Sequence, residues 1–186
     1  MKSAGLFENH SFDTVTKIRV LMLLFVTGGI SGWLYEMVFY RINFGYFVKR
    51  GHGLGPWLPI YAFGSLLILF AAYRFKEKPL LVILICGGVT GLLEYATGWF
   101  LYTFFDGLRL WDYNTEIWNW GNIGGYVCFR SVLVFALAGL ALVRLIFPFL
   151  LDLAEKLERP VFAWLAALPF AAFILDMIIG YFIKGL

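Results

Sequence analysis

The sequence predicts an all-α fold: a polytopic integral membrane helical bundle of about five transmembrane helices, with aromatic-rich outer loops folded back over it. Three observations predict this. Of the 186 residues, 61% are hydrophobic and only 15% are charged, against roughly 45–50% and 25% in an ordinary soluble domain. The mean hydropathy is +0.81, more apolar surface than a single soluble core of this length can hide. The apolar residues also come in continuous runs near the ~20 residues that a helix needs to cross a bilayer, and not in the ~10-residue alternating segments of a membrane barrel. A single transmembrane domain over residues 1–186 accounts for the whole chain.

The elements follow in order. Residues 1–17 are mixed and mildly amphipathic, with Lys2, Glu8, Asp13 and Lys17. No short apolar run with a small-residue cleavage site stands there, so no cleaved signal peptide is expected. The first span covers about Ile18 to Tyr40. The second covers Leu54 to Tyr73, between Gly51-His52-Gly53 and the cluster Arg74-Lys76-Glu77-Lys78. The third runs from Pro79 to about Phe105, long enough to tilt. The fourth is expected from Asn122 to about Leu151, with Pro148 near its end. Pro160 opens the fifth, which ends near Ile183; proline suits a first turn because its missing N–H has no partner there. Residues 41–53 and 106–121 are loops rich in aromatics, Trp111, Trp118 and Trp120 among them. They read either as an interfacial aromatic belt or as segments closing over a site.

Lys/Arg asymmetry sets the expected orientation. With the N-terminal segment (1–17) cytoplasmic, the inner side holds Lys2, Lys17, Arg19, Arg74, Lys76, Lys78, Lys156 and Arg159. The outer side holds Arg41, Lys49, Arg50, Arg109 and Lys184. Eight against five places the N-terminus in the cytoplasm of a multi-pass protein of the cell (inner) membrane.

Ionisable residues inside spans are costly and mark functional candidates. Glu36, Glu94, Arg130 and Asp176 come from four different spans, and the predicted topology puts all four in one half of the membrane. Gly29, Gly32 and Glu36 share a helix face, as do Gly87, Gly91, Glu94 and Gly98. Small residues let helices approach closely in lipid, so both acids are expected on packed faces. Asn122, Tyr126 and Arg130 follow at helical spacing, and Arg130 is the expected counter-ion of Glu36 or Glu94, since a buried charge is tolerated when paired. These residues read either as a register-fixing ion pair or as a solvated pocket. In the pocket reading the expected binding residues are Glu36, Glu94, Arg130, Asp112, Tyr61, Trp111, Tyr113 and Asn122. Asp176 alone reads as an interface residue.

Gly55, Pro56 and Pro59 form a structural motif at the start of the second span. The two prolines remove backbone donors and resist a regular preceding turn, which predicts a bent or partly unwound entry. His52 is no metal signal, and Cys86 and Cys128 fall in different halves of the membrane, so neither a metal site nor a disulfide is expected. A net charge of +3 spread through apolar sequence does not suggest nucleic acid binding. The chain has no phosphate-binding P-loop, no nucleophile elbow, no H-E-x-x-H and no C-x-x-C. No cofactor is expected.

Five segments carry a resemblance. They are Gly32-Trp33-Leu34-Tyr35-Glu36; Arg50-Gly51 through Gly55-Pro56-Trp57-Leu58-Pro59-Ile60-Tyr61; Leu93-Glu94-Tyr95-Ala96-Thr97-Gly98; Trp111-Asp112-Tyr113; and Asn122 to Cys128. In this order they resemble the bacterial ABC-transporter type IV permease family of the CmpB type. Ala62 stands where that family usually has glycine. The resemblance implies a multi-pass bacterial membrane protein with a transport label.

Two classes of function fit these residues. One is a transport-related protein that binds or translocates a small molecule or ion through a polar site in the outer half of the bundle. Having no ATPase of its own, it would draw energy from an ion gradient, a partner membrane subunit or an ATPase. The other is a membrane-embedded enzyme acting on a lipid or amphipathic substrate at the outer interface, with Glu36, Glu94 or Asp112 as acid or base. A third reading is an assembly or regulatory partner of another membrane protein. Besides the lipid bilayer, the expected partners are such a subunit or further copies of the chain.

Overall fold

The computed structural model describes residues 5–51 and 53–180. Lys2, His52, Lys184 and the expected end of the fifth span at Ile183 lie outside the described residues. Five helices form, as the apolar segmentation predicts, and among the described residues no strand accompanies them. They are α1 (Thr14–Phe44), α2 (Pro59–Ala72, prolonged by a tight turn at Tyr73–Phe75), α3 (Pro79–Phe104), α4 (Phe129–Lys156) and α5 (Arg159–Ile178). All except α2 are long and apolar enough to cross a bilayer. The chain is a multi-pass membrane protein.

Each boundary has a local cause. Asp13 caps α1, accepting from the Thr16 N–H at 2.7 Å, which satisfies one of the orphan donors of a first turn. The hydrogen bonds from Thr16 hold this exposed carboxyl below its ordinary pKa. Gly45, at φ 79°, closes the other end and donates to the Arg41 carbonyl. At 31 residues α1 is about 46 Å long, so it outreaches the ~30 Å hydrocarbon core.

Helix α2 starts later than the sequence suggests, at Pro59 and not Leu54, because Pro56 and Pro59 hold residues 53–58 out of helical geometry. The fourth helix also starts later, at Phe129 and not Asn122. Gly121, Gly124 and Gly125 sit at φ 63°, 61° and 79°, a left-handed backbone that ends any helix there. Asn122 and Tyr126 therefore belong to the preceding loop, and no helical stripe links them to Arg130. Within α4 the backbone widens to a π segment at Leu142–Ile146. Pro148 stands two residues after it; it lacks an N–H and would crowd the carbonyl four residues back, that of Arg144.

The chain divides into two compact units, residues 1–67 with 144–186, and residues 68–143. In the first, Phe25 and Val26 of α1, Ala62 of α2 and Phe173 of α5 form the core. Gly32 lets α2 against α1: a Cβ there would lie 2.0 Å from Cγ of Tyr61. The N-terminal segment joins this unit through Phe7 against Phe147 (ring centroids 5.9 Å apart) and His10 Nδ1 against Glu155 Oε1 at 2.6 Å. In the second unit α3 and α4 pack along Gly87 and Gly91 on one side and Val132 and Ala136 on the other. Cys86 and Cys128 are both buried free thiols.

Candidate functional site

Both loops that follow a long helix return onto it, and each brings polar groups to a carboxylate that the helix carries. In the first unit the loop is the strap 45–58. Arg50 turns back so that Nε lies 2.5 Å from Oε2 of Glu36, and its guanidinium carbon sits 4.1 Å from the Tyr40 ring centroid. The Tyr61 hydroxyl donates to the other Glu36 oxygen at 2.9 Å. Burial works against the Arg50 charge, but the Glu36 carboxylate, with Tyr40 and Tyr61, outweighs it and raises the guanidinium pKa above its ordinary value. Arg50 is a permanent cation here.

The second half of the strap wraps a different acid. Asp176 of α5 accepts from the backbone N–H of Leu54 (2.7 Å) and of Gly55 (3.0 Å) and from Trp57 Nε1 (2.7 Å). Successive backbone N–H groups turned to one anion make a nest, and the carboxylate filling it is the protein's own. The fit needs glycine at 53, where a Cβ would come within 2.1 Å of Asp176 Oδ2. The Gly-Pro motif thus feeds donors to Asp176 before Pro59 starts α2.

In the second unit the loop 105–128 covers α3 and the first turn of α4. Glu94 is 7% exposed. The Tyr113 hydroxyl donates to its Oε1, and Ser131 Oγ donates to its Oε2 at 2.8 Å. Burial pushes the Tyr113 hydroxyl far above the ordinary tyrosine pKa, and the neighbouring Glu94 carboxylate adds to this, so Tyr113 keeps its proton and remains a donor. Arg130 Nη2 lies 2.6 Å from Oε2 of Glu116, with the two side chains only 9% and 2% exposed, and 5.3 Å separates the guanidinium carbon from the Tyr113 ring centroid. The counter-ion expected for Arg130 was Glu36 or Glu94. The structure assigns its ion pair to Glu116, because the folded-back loop delivers a carboxylate that helical spacing alone does not reveal.

A polar rim holds this loop in place. Asp112 Oδ1 accepts from the Asn114 N–H (3.0 Å), Asn114 Nδ2 (2.7 Å) and Arg109 Nη1 (3.3 Å). Asn122 donates to Asn114 Oδ1 at 2.7 Å and accepts from the Gly125 N–H at 2.9 Å. Trp111 Nε1 donates to the Tyr126 carbonyl at 2.9 Å.

Of the eight binding residues expected from the sequence, Glu36 and Tyr61 meet in the first unit. Glu94, Tyr113, Arg130, Asp112, Trp111 and Asn122 form one connected neighbourhood in the second. Sequence reasoning missed Arg50, Glu116 and Ser131 and undervalued Asp176. Ser131 and Asp176 had a signal, a polar residue within an apolar span; Arg50 stood in a segment that carries the resemblance without its partner being legible, and Glu116, one charge in an aromatic-rich loop, had none. Among the described residues no group of three or more His, Cys, Asp or Glu side chains could hold a metal ion.

No curated protein and no solved structure matches the chain. One family does: its sequence model covers residues 23–181, from the third turn of α1 past the end of α5, and so takes in both loops and Glu36, Glu94, Asp112, Glu116 and Asp176. The chain belongs to the family described as "Putative ABC-transporter type IV" (ABC_trans_CmpB).

Proposed function

We propose that the protein is a transport-related membrane component that binds a small polar solute or ion at the loop-covered neighbourhood of Glu94 and Arg130. The observation that carries this reading is the depth to which the 105–128 loop is built into the second unit. It takes Tyr113 and Glu116 to 7% and 6% exposure against a carboxylate and a guanidinium that belong to helices. A connection that only joined two spans needs no charged group at that depth, where burial without a partner is costly. Two carboxylates stand there against one guanidinium, with two hydroxyl donors in fixed positions, an arrangement that orients a ligand by a few polar contacts inside an apolar wall. Irregular backbone at such depth is tolerated against protein or a water-filled cavity.

The Lys/Arg bias supports a cytoplasmic N-terminus, an inner-membrane location and an outward-facing loop 105–128. The family description supports a partner membrane subunit or ATPase as energy source. The experiment is native mass spectrometry of the protein released from lipid nanodiscs, paired with its melting temperature. A small molecule that co-purifies, raises the melting temperature and is absent from Glu94→Gln is expected. A wild-type protein that carries no solute and is stabilised by none from a panel of small cations, anions and polar metabolites would refute the reading.

A further inference from the structure

Three oxygen atoms form a chain at the start of α4. Ser131 Oγ lies 2.8 Å from Oε2 of Glu94 and 2.8 Å from the Cys128 carbonyl oxygen. Both are ordinary distances for an O–H donor and its acceptor. A serine hydroxyl has one hydrogen and two lone pairs. Two short contacts to acceptors therefore need one hydrogen more than Ser131 brings. If Glu94 is ionised, the hydroxyl serves one neighbour and turns a lone pair to the other at the same 2.8 Å.

Two other buried hydroxyls show what a single hydrogen does. Ser65 Oγ is 2.7 Å from the Ala62 carbonyl oxygen and 3.4 Å from that of Leu24. Thr90 Oγ1 is 2.8 Å from the Cys86 carbonyl oxygen and 3.4 Å from that of Gly87. Each keeps one acceptor close and the second at 3.4 Å. Ser131 keeps both close. A carbonyl carries no hydrogen, so the extra one belongs to Glu94. Oε2–H then donates to Ser131 Oγ, and Ser131 donates to the Cys128 carbonyl and accepts from the Cys128 N–H at 3.4 Å. The Tyr113 hydroxyl donates to Oε1. In this arrangement the serine makes one donation and two acceptances, its full capacity.

Charge points the same way. The groups that face Glu94 are Tyr113 and Glu116 from the loop, and Arg130, Ser131 and Cys128 from the start of α4, all of them buried. Arg130 is paired with Glu116 at 2.6 Å. An ionised Glu94 makes a second carboxylate against one guanidinium, and a buried charge left over in this way is costly. One proton on Glu94 makes the neighbourhood neutral.

We propose that Glu94 holds an exchangeable proton and that the ion bound at this site is that proton, an inference that rests on the binding-site reading above and names its ion. On release the proton passes to water, and the electron pair of the O–H bond stays on the carboxylate. Ser131 then turns its hydrogen from the Cys128 carbonyl to Oε2, so the carboxylate keeps two donors, Ser131 and Tyr113. The Cys128 carbonyl is left facing a lone pair, and that contact lengthens toward the 3.4 Å seen at Ser65 and Thr90. Cys128 is the N-cap of α4 and the last residue of the 105–128 loop. Loss of the proton therefore acts on the point where the covering loop joins its helix.

The test is infrared spectroscopy of the full chain in lipid nanodiscs at neutral pH. Wild type is expected to show the carbonyl stretch of a protonated carboxyl, above the amide I band. That band is expected to move to lower wavenumber in D2O and again when glutamate carboxyls are labelled with carbon-13. It is expected to be absent from Glu94→Gln and to move to higher wavenumber in Ser131→Ala, which takes away the acceptor of the carboxyl proton. Glutamine offers an N–H to Ser131 and a carbonyl to Tyr113, the same pattern as the carboxylic acid, so Glu94→Gln is expected to melt near wild type; the glutamate label reads the wild-type protein and needs no variant. No such band, a band that ignores the glutamate label, one that survives Glu94→Gln, or one that stays in place in D2O would each overturn the proposal. The band reads the proton and native mass spectrometry reads the solute: a protein with solute and no band loses the proton alone, and one with the band and no solute loses only the solute.

Discussion

The Arg130–Glu116 pair allows the sharpest perturbation. Its side chains are 9% and 2% exposed and its atoms 2.6 Å apart, so water does little to screen either charge. Glu116→Gln leaves a guanidinium buried without its carboxylate, and removing one member of a buried pair costs about 3–5 kcal/mol. Arg130→Met with Glu116→Leu removes both charges and is expected to recover most of that loss, because replacing a buried pair by apolar groups of similar volume is often neutral. The same kind of change at Asp152, whose pair with Lys156 spans 3.7 Å with side chains 58% and 77% exposed, is expected to cost under about 1 kcal/mol. Unfolding in mixed micelles by increasing denaturing detergent, read by circular dichroism, gives all three values. A Glu116→Gln loss no larger than that of Asp152→Asn would refute the claim that the loop delivers a buried charge.

Three other outcomes follow from the geometry. Asp176→Ala strips the acceptor from three N–H donors, each costing about 1–3 kcal/mol if left buried and unmet, and it should raise hydrogen exchange at residues 53–58 while the 105–128 loop keeps its protection; unchanged exchange at 53–58 would contradict the nest. Tyr113, raised by burial above its unfolded value, contributes stability that is full below about pH 10 and is lost as pH rises beyond it; Tyr113→Phe should flatten that alkaline loss, and an identical pH profile would count against the buried hydroxyl. Cysteines placed at Lys76 and Lys156 should react with impermeant reagents only from the cytoplasmic side, and labelling of either from outside would reverse the orientation.

The helices were legible because lipid demands long apolar runs, and the boundaries were legible wherever one residue dictates them, as Pro79 and Pro160 do. The start of α4 was not, because the glycines at 121, 124 and 125 sit in an otherwise apolar stretch that reads as span. Glu36 and Glu94 stood out as charges that a membrane helix cannot carry without cause. Their partners could not be read from spacing: Arg50 is 14 residues from Glu36, and Tyr113 is 19 from Glu94, each brought back by a loop whose path depends on left-handed glycines and side-chain caps. Asp176 was legible as an ionisable residue inside a span, but its donors come from a strap 119 to 122 residues earlier in the chain, which spacing does not reveal.

The most direct test of the account is the variant Glu94→Gln/Glu116→Gln/Arg130→Gln, which neutralises the neighbourhood while keeping its shape. Melting temperature and bound solute are measured on the same nanodisc sample. A protein that melts close to wild type and carries no solute is the predicted result; one that retains solute at the wild-type level would contradict the assignment of Glu94 and Arg130 to the binding site.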